Sequence, residues 1–207
     1  MAQFFQIHPA NPQKRLLDSV AKILGGGGLI VYPTDSCYAI GCQLGDREAA
    51  ERIRRLRQTD KDHNFTLVCR DLSEIATYAR VDNQAYRLLR ALTPGPYTFI
   101  LRATGEVPKR LQHPKRRSIG IRVPKHAIAQ GILGTLNAPL MSSTLILPGD
   151  EMPMTDAELI RERLEHEVDA VVDGGSCGIE PTTVLDLSEG GVQILRQGKG
   201  DVEFLSH

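Results

Sequence analysis

Short apolar runs of strand type alternate with stretches of helical periodicity along most of this chain, and that alternation restricts the fold more than any other feature. Residues 11–24 carry Asn11 as a candidate N-cap, Pro12 at a first-turn position, and Leu16, Val20 and Leu24 on one face. Gly25 to Gly28 stop that helix, and LIVYPT at 29–34 follows as a buried strand. Asp46 opens a second helix with Ala49, Ile53 and Leu56 inward, and FTLVC at 65–69 is a short strand. Helical patterns recur near 72–80 and 83–92, and Thr93-Pro94-Gly95-Pro96 breaks the chain before the strand YTFILRA at 97–103. SIGIRVP at 118–124 alternates like a strand, residues 125–136 form a helix, and PLMSSTLIL at 139–147 is another strand. Thr155 and Glu158 have capping-box spacing for a helix running to about 167; DAVVDGG, TTVLDLS and VQILRQG complete the strands. The pattern predicts one α/β domain.

A chain of 207 residues is long enough to bury a real core, and 41% apolar with 24% charged residues excludes a disordered or fibrous protein. Its 25 basic and 25 acidic residues cancel, which excludes a global polyelectrolyte. The charge is nevertheless segregated. Between Val107 and Gly149 there is no Asp or Glu, yet Lys109, Arg110, Lys115, Arg116, Arg117, Arg122 and Lys125 all fall there. Such asymmetry points to an anion partner, nucleotide or nucleic acid; a solvated basic loop accounts for the charge equally well. No run reaches the roughly 18 apolar residues of a membrane helix, and the N-terminus lacks the basic-then-apolar order of a secretory signal. Cys37, Cys42, Cys69 and Cys177 have no Cys-x-x-Cys spacing and read as reduced thiols, so a cytoplasmic protein without a metal site is expected.

Generic signatures are missing. There is no P-loop, no dinucleotide-binding glycine motif, no His-Glu-x-x-His and no nucleophile elbow, so no catalytic residue is assigned. Five other constellations occur in order. Tyr32-Pro33-Thr34-Asp35-Ser36 carries hydroxyls and a carboxylate from a strand into a turn, which suits either a polar ligand or a self-bonded turn. Arg54-Arg55-Leu56-Arg57-Gln58-Thr59 is a basic helix end, which the helix dipole alone would favour. Gly95-Pro96-Tyr97-Thr98 feeds a strand. In Gly120-Ile121-Arg122-Val123-Pro124 the arginine alternates with two apolar residues and points away from the face they pack on. Last come Pro181-Thr182-Thr183-Val184-Leu185-Asp186 and Leu195-Arg196-Gln197-Gly198.

In this order the motifs resemble the YrdC-like family, which includes the threonylcarbamoyl-AMP synthases, and are most similar to its YciO branch. The resemblance spans roughly residues 14–200, leaving 1–13 as an N-terminal segment and 201–207 as a tail. It implies a single-domain fold with a twisted mixed sheet, flanking helices and a basic concave cavity. It also implies condensation of L-threonine, bicarbonate and ATP into threonylcarbamoyl-AMP with release of pyrophosphate, feeding tRNA modification. Thr34, Arg122 and Thr182 would then hold the amino acid, with Arg122 on its carboxylate, which a guanidinium fork fits. Arg57, Thr59, Ser143 and Arg196 would face the nucleotide (ATP or AMP) and its phosphates, and Mg²⁺ would ride on the triphosphate. The alternative that the resemblance offers is binding of double-stranded RNA or tRNA without turnover, through Lys109, Arg110, Lys115, Arg116 and Arg117. A low aromatic content of 5% and no Trp favour phosphate and shape recognition over base stacking.

Two positions depart from the family pattern. Thr59 stands where Lys-x-Arg would place its arginine, and Leu145 stands where Ser-x-Asn would place an amide. Each lost contact to a charged group costs roughly 1.5–3 kcal/mol, so uncompensated losses imply a deficit of about a hundredfold or more. Lys61 and His63 lie near the first gap as candidate substitutes.

Overall fold

The computed structural model describes residues 1–59 and 65–206. Lys61, His63 and the tail residue His207 therefore lie outside the described residues. In chain order the elements are β1 (Gln3–Gln6), α1 (Lys14–Gly25), β2 (Ile30–Tyr32), β3 (Ala39–Gln43), α2 (Arg47–Arg57), β4 (Thr66–Val68), α3 (Leu72–Tyr78) and α4 (Asn83–Leu92). They continue with β5 (Tyr97–Arg102), β6 (Ser118–Arg122), α5 (Ala127–Leu136), β7 (Leu140–Thr144), α6 (Ala157–Leu164), β8 (Ala170–Asp173), β9 (Thr183–Asp186) and β10 (Gln193–Arg196). The strands form one mixed sheet in the order β1-β8-β2-β3-β7-β4-β6-β5-β9-β10. This is the single-domain α/β architecture that the alternation predicts. Among the described residues no helix is long and apolar enough to cross a membrane.

Short acidic caps start most of the helices. Asp46, Asp71, Asp82 and Asp156 each accept a backbone N–H from the first turn of α2, α3, α4 and α6 respectively. Three expectations are corrected here. The first helix begins after Gln13 rather than at Asn11, because His8 and Gln13 tie up the 8–13 turn through the amides of His8, Ala10 and Asn11. The cap of α6 is Asp156 and not Thr155, since its carboxylate accepts from both Glu158 and Leu159 at 2.9 and 3.0 Å. That helix also stops at Leu164 rather than near 167.

Side-chain alternation divides the core by sheet face. Leu67, Phe99, Ile121, Met141 and Leu185 join α2, α3, α4 and α6 in the larger core. On the opposite face α1 and α5 pack over Ile30, Tyr32, Ala39, Val68, Leu140 and Val172. They cover only the half of that face nearest β8 and β2. Over β4, β6, β5 and β9 the face carries Thr66 paired with Gly120, Gly120 paired with Ile100, and Thr98 paired with Val184, all of them lining open space rather than a helix. An uncovered sheet face of this kind becomes a floor for a cleft.

The cap of α5 is unusual. His126 Nδ1 accepts from Ile128 N at 3.2 Å, a role that needs neutral imidazole. Burial holds its pKa below the ordinary 6.5, with Asp35 pulling weakly the other way. The unfolded chain thus binds the proton first, and stability present above pH 6.5 is lost as pH falls from there through the folded pKa. Loss of a cap is worth about 1 kcal/mol, or about 2–4 °C at this size. Acid melting curves of wild type against His126→Asn, which keeps a cap without titrating, should diverge by that amount below pH 6.5.

Candidate ligand-binding cleft

The open half of the sheet floors a cleft of about 580 Å³. Arg57, Arg116, Arg122 and Arg196 line it with no carboxylate among the described lining residues, so the described wall is basic as well as concave. Of the residues singled out from sequence, Thr34, Arg57, Arg122, Ser143, Thr182 and Arg196 converge on it from α2, β6, β7, β10 and the segments around β2 and β9. Thr59 does not line the cleft. Its hydroxyl is buried without a partner among the described residues. Leu145 also lies outside the cleft, fully buried in the larger core with its amide donating to Tyr38 O.

Arg122 anchors the centre. Its side chain is 9% exposed and paired with Asp35, which is 12% exposed, while Nη1 donates to Ser36 Oγ at 3.0 Å. Its Nε is buried and has no partner among the described residues. Only two of its five N–H groups are spent on acceptors among the described residues, so this cleft-lining guanidinium keeps donors to spare. Asp35 also accepts from Lys125 N at 3.0 Å, so the carboxylate fixes the start of the 124–126 loop as well as the arginine.

Thr34 lines the cleft and also organises its own turn. Its hydroxyl donates to Cys37 O at 2.6 Å and accepts from Ser36 N and Cys37 N. Thr34 thus shapes the turn that presents Asp35 and Ser36. The turn is pinned from the far side by Cys37 Sγ donating to Glu180 O at 3.3 Å, and Lys199 Nζ donates to Asp35 O.

A hydroxyl relay builds the opposite wall. Arg196 donates through Nε and Nη2 to Thr182 O at 3.0 and 2.9 Å, and Thr182 Oγ1 meets Thr98 Oγ1 at 2.8 Å. Gly198 allows this closure. Its amide donates to Thr183 Oγ1 at 3.0 Å, and Lys199 N reaches Pro181 O at 2.8 Å. On the remaining wall Arg57 donates to Ser143 Oγ and, at 3.2 Å, to Ile146 O. Burial lowers the pKa of both Arg57 and Arg196, as expected for guanidinium groups short of water.

The thiols offer no nucleophile. Burial raises Cys37 above the ordinary thiol value despite Arg122, and pushes Cys177 up to about 11 and Cys42 up to about 12. Tyr32, pushed up to about 12 by burial, shares a 2.8 Å hydrogen bond with Ser142 and stays protonated.

The five basic residues of segment 109–117 divide. Lys109, Arg116 and Arg117 line a second groove of about 560 Å³, together with Arg80 and Arg102. Arg110 instead donates to Gly45 O, and Lys115 is exposed outside both cavities. Sequence reading missed the work of Asp35, Thr98 and Lys199. The first two lay inside quoted motifs; Lys199 carried no signal.

Comparison with known proteins agrees with this geometry. The Sua5/yciO/yrdC family model, described as telomere recombination, matches residues 22–198. The chain is 53% identical over 203 residues to the uncharacterized protein YciO of Escherichia coli K12, covering 98% of each. It is 55% identical over 201 residues to an uncharacterized protein of Haemophilus influenzae, covering 97% of each. The E. coli YciO crystal structure superposes with a TM-score of 0.94 at 53% identity, over 98% of each chain. P. abyssi Sua5 complexed with L-threonine superposes with a TM-score of 0.89 at 22% identity, over 98% of this chain and 59% of that one. With its fold and matched span in agreement, the chain belongs to the Sua5/YciO/YrdC family.

Proposed function

We propose that the cleft binds a nucleotide beside a small amino acid, and that the protein is a slow or divergent L-threonylcarbamoyl-AMP synthase. The observation that carries this reading is the set of three arginines, Arg57, Arg116 and Arg196, that line the cleft with Arg122, with no carboxylate among the described lining residues. Arg122 would take the amino acid's carboxylate, with Ser36 and Asp35 holding the guanidinium in place. L-threonine in the similarly folded P. abyssi Sua5 supports an amino acid of that size. Arg57, Ser143 and Arg196 would receive the phosphates, Arg57 trading its Ser143 and Ile146 contacts for stronger charged ones. In the overall reaction ATP, L-threonine and bicarbonate give threonylcarbamoyl-AMP, pyrophosphate and water. Mg²⁺ would arrive on the triphosphate, where it neutralises charge; among the described residues no cluster of His, Cys, Asp and Glu is gathered to hold one.

The departures at Thr59 and Leu145 explain the qualifier slow. Neither residue lines the cleft, so among the described residues the phosphate contacts would rest on Arg57, Ser143 and Arg196. The test is pyrophosphate release from ATP with threonine and bicarbonate. Release that requires both co-substrates and falls to background in Arg122→Ala is expected. Release no greater than in that variant overturns the synthase reading.

A further inference from the structure

The second groove adjoins the cleft, because Arg116 and His113 line both. Five cations converge on it: Arg80, Arg102, Lys109, Arg116 and Arg117, with no carboxylate among its lining residues. Neighbouring residues of an extended chain point to opposite sides, yet Arg116 and Arg117 share this groove. The backbone at Arg117 is left-handed, with φ at 51°, and the turn is held by Arg117 N donating to His113 O and Arg116 N to His113 Nδ1. A bulky residue held in that conformation shows a turn built for placing side chains.

Arg116 is also poised to change partners. It now pairs with Asp186 at 3.2 Å and more loosely with Glu189 at 3.7 Å, while half exposed at 49%. The pair with Glu189 is exposed on both sides and weak, whereas the Asp186 carboxylate is buried. Asp186 is 5% exposed but keeps two hydrogen bonds from Ser188, at 2.9 and 2.6 Å, after Arg116 leaves.

We propose that this groove is a polyphosphate subsite, which takes the terminal phosphates of a nucleotide whose inner phosphate meets Arg57, Ser143 and Arg196 in the cleft, with Arg116 shifting from Asp186 onto the anion. The nucleotide part rests on the function proposed above; the anion part does not. A compact polyphosphate suits five cations lining one groove. An extended duplex would want a continuous stripe, and Arg110 leaves that stripe for Gly45.

Calorimetric titration of the whole protein with inorganic tripolyphosphate, ATP and AMP tests this in wild type and in the double variant Arg80→Ala/Arg117→Ala, which leaves every cleft residue intact. The variant should lose affinity for tripolyphosphate and ATP on the order of tenfold, with AMP unchanged. Groove-dependent tripolyphosphate binding without any nucleotide binding would sink the cleft reading and leave the anion subsite standing. No tripolyphosphate binding by wild type, or equal affinities in both proteins, overturns the subsite. So does a variant that loses only affinity for a short RNA duplex, because the groove then serves nucleic acid.

Discussion

Arg122→Ala is expected to bring amino-acid binding in the cleft down about a hundredfold, below detection, and to lower the melting temperature by roughly 6–20 °C. Both effects follow from one geometry. Arg122 and Asp35 are each about nine-tenths buried and paired, so removing the cation strands a carboxylate in a site poor in water. Breaking such a pair costs about 3–5 kcal/mol. The same change removes the guanidinium whose Nε has no protein acceptor among the described residues. A lost contact between a carboxylate and a guanidinium weakens binding by about a hundredfold. The double variant Arg122→Met/Asp35→Asn separates the two roles. With no stranded charge its melting temperature should recover much of the loss, while binding stays absent. Melting curves and calorimetry on the three proteins decide the matter. Wild-type affinity in Arg122→Ala would show that the arginine serves the fold alone.

Gly198→Ala is expected to be nearly as damaging, though no side chain is lost. A Cβ at this position would lie 2.3 Å from Pro181 O and 2.7 Å from Thr182 C and O. These are backbone atoms that cannot step aside without breaking the bonds from Gly198 N to Thr183 and Lys199 N to Pro181. Overpacking of this kind costs about 1–3 kcal/mol, or roughly 2–12 °C in melting temperature. The displaced segment carries Arg196 and Lys199, so the Thr182 relay and the strap to Asp35 should loosen together. Gly134→Ala is the internal control. It lies in α5 with nothing within 4 Å of the added carbon, so the substitution should stabilise by about 0.5–1 kcal/mol. A Gly198→Ala protein that melts and binds like wild type would show that the closure is plastic.

Local periodicity made most of the fold legible. The alternation in SIGIRVP sets Ile121 on the core face and Arg122 on the other, which is where the structure has them. Strand β3 was hidden because Ala39, Ile40, Gly41 and Cys42 are all buried and so show no alternation, and the turn chemistry of Thr34 to Ser36 masks its start. Strand β1 is four residues with polar ends at the sheet edge, too short to carry a period. Its partners in β8 lie more than 160 residues away in the sequence. Capping signals proved one or two residues loose, since Thr155 and Asp156 offer the same chemistry side by side.

The site was legible as a set of motifs but not as a set of bonds. Sequence gathered Arg122, Thr182 and Arg196, and the cleft contains all of them. It could not show that Asp35 pairs with Arg122 across 87 residues, or that Arg116 is already held by Asp186. Nor could it show that Thr34 spends its hydroxyl on its own turn. Such pairings depend on strand order, to which local patterns are blind.

The central claim is that the cleft is a nucleotide site, and direct titration of the full protein with Mg²⁺-ATP tests it most plainly. Saturable binding to one site per chain is predicted, weakened by Arg57→Ala and accompanied by a higher melting temperature. Ligand at a hundred times its Kd should add about 2.7 kcal/mol of stability. No heat of binding and no thermal shift at millimolar ATP would contradict the account.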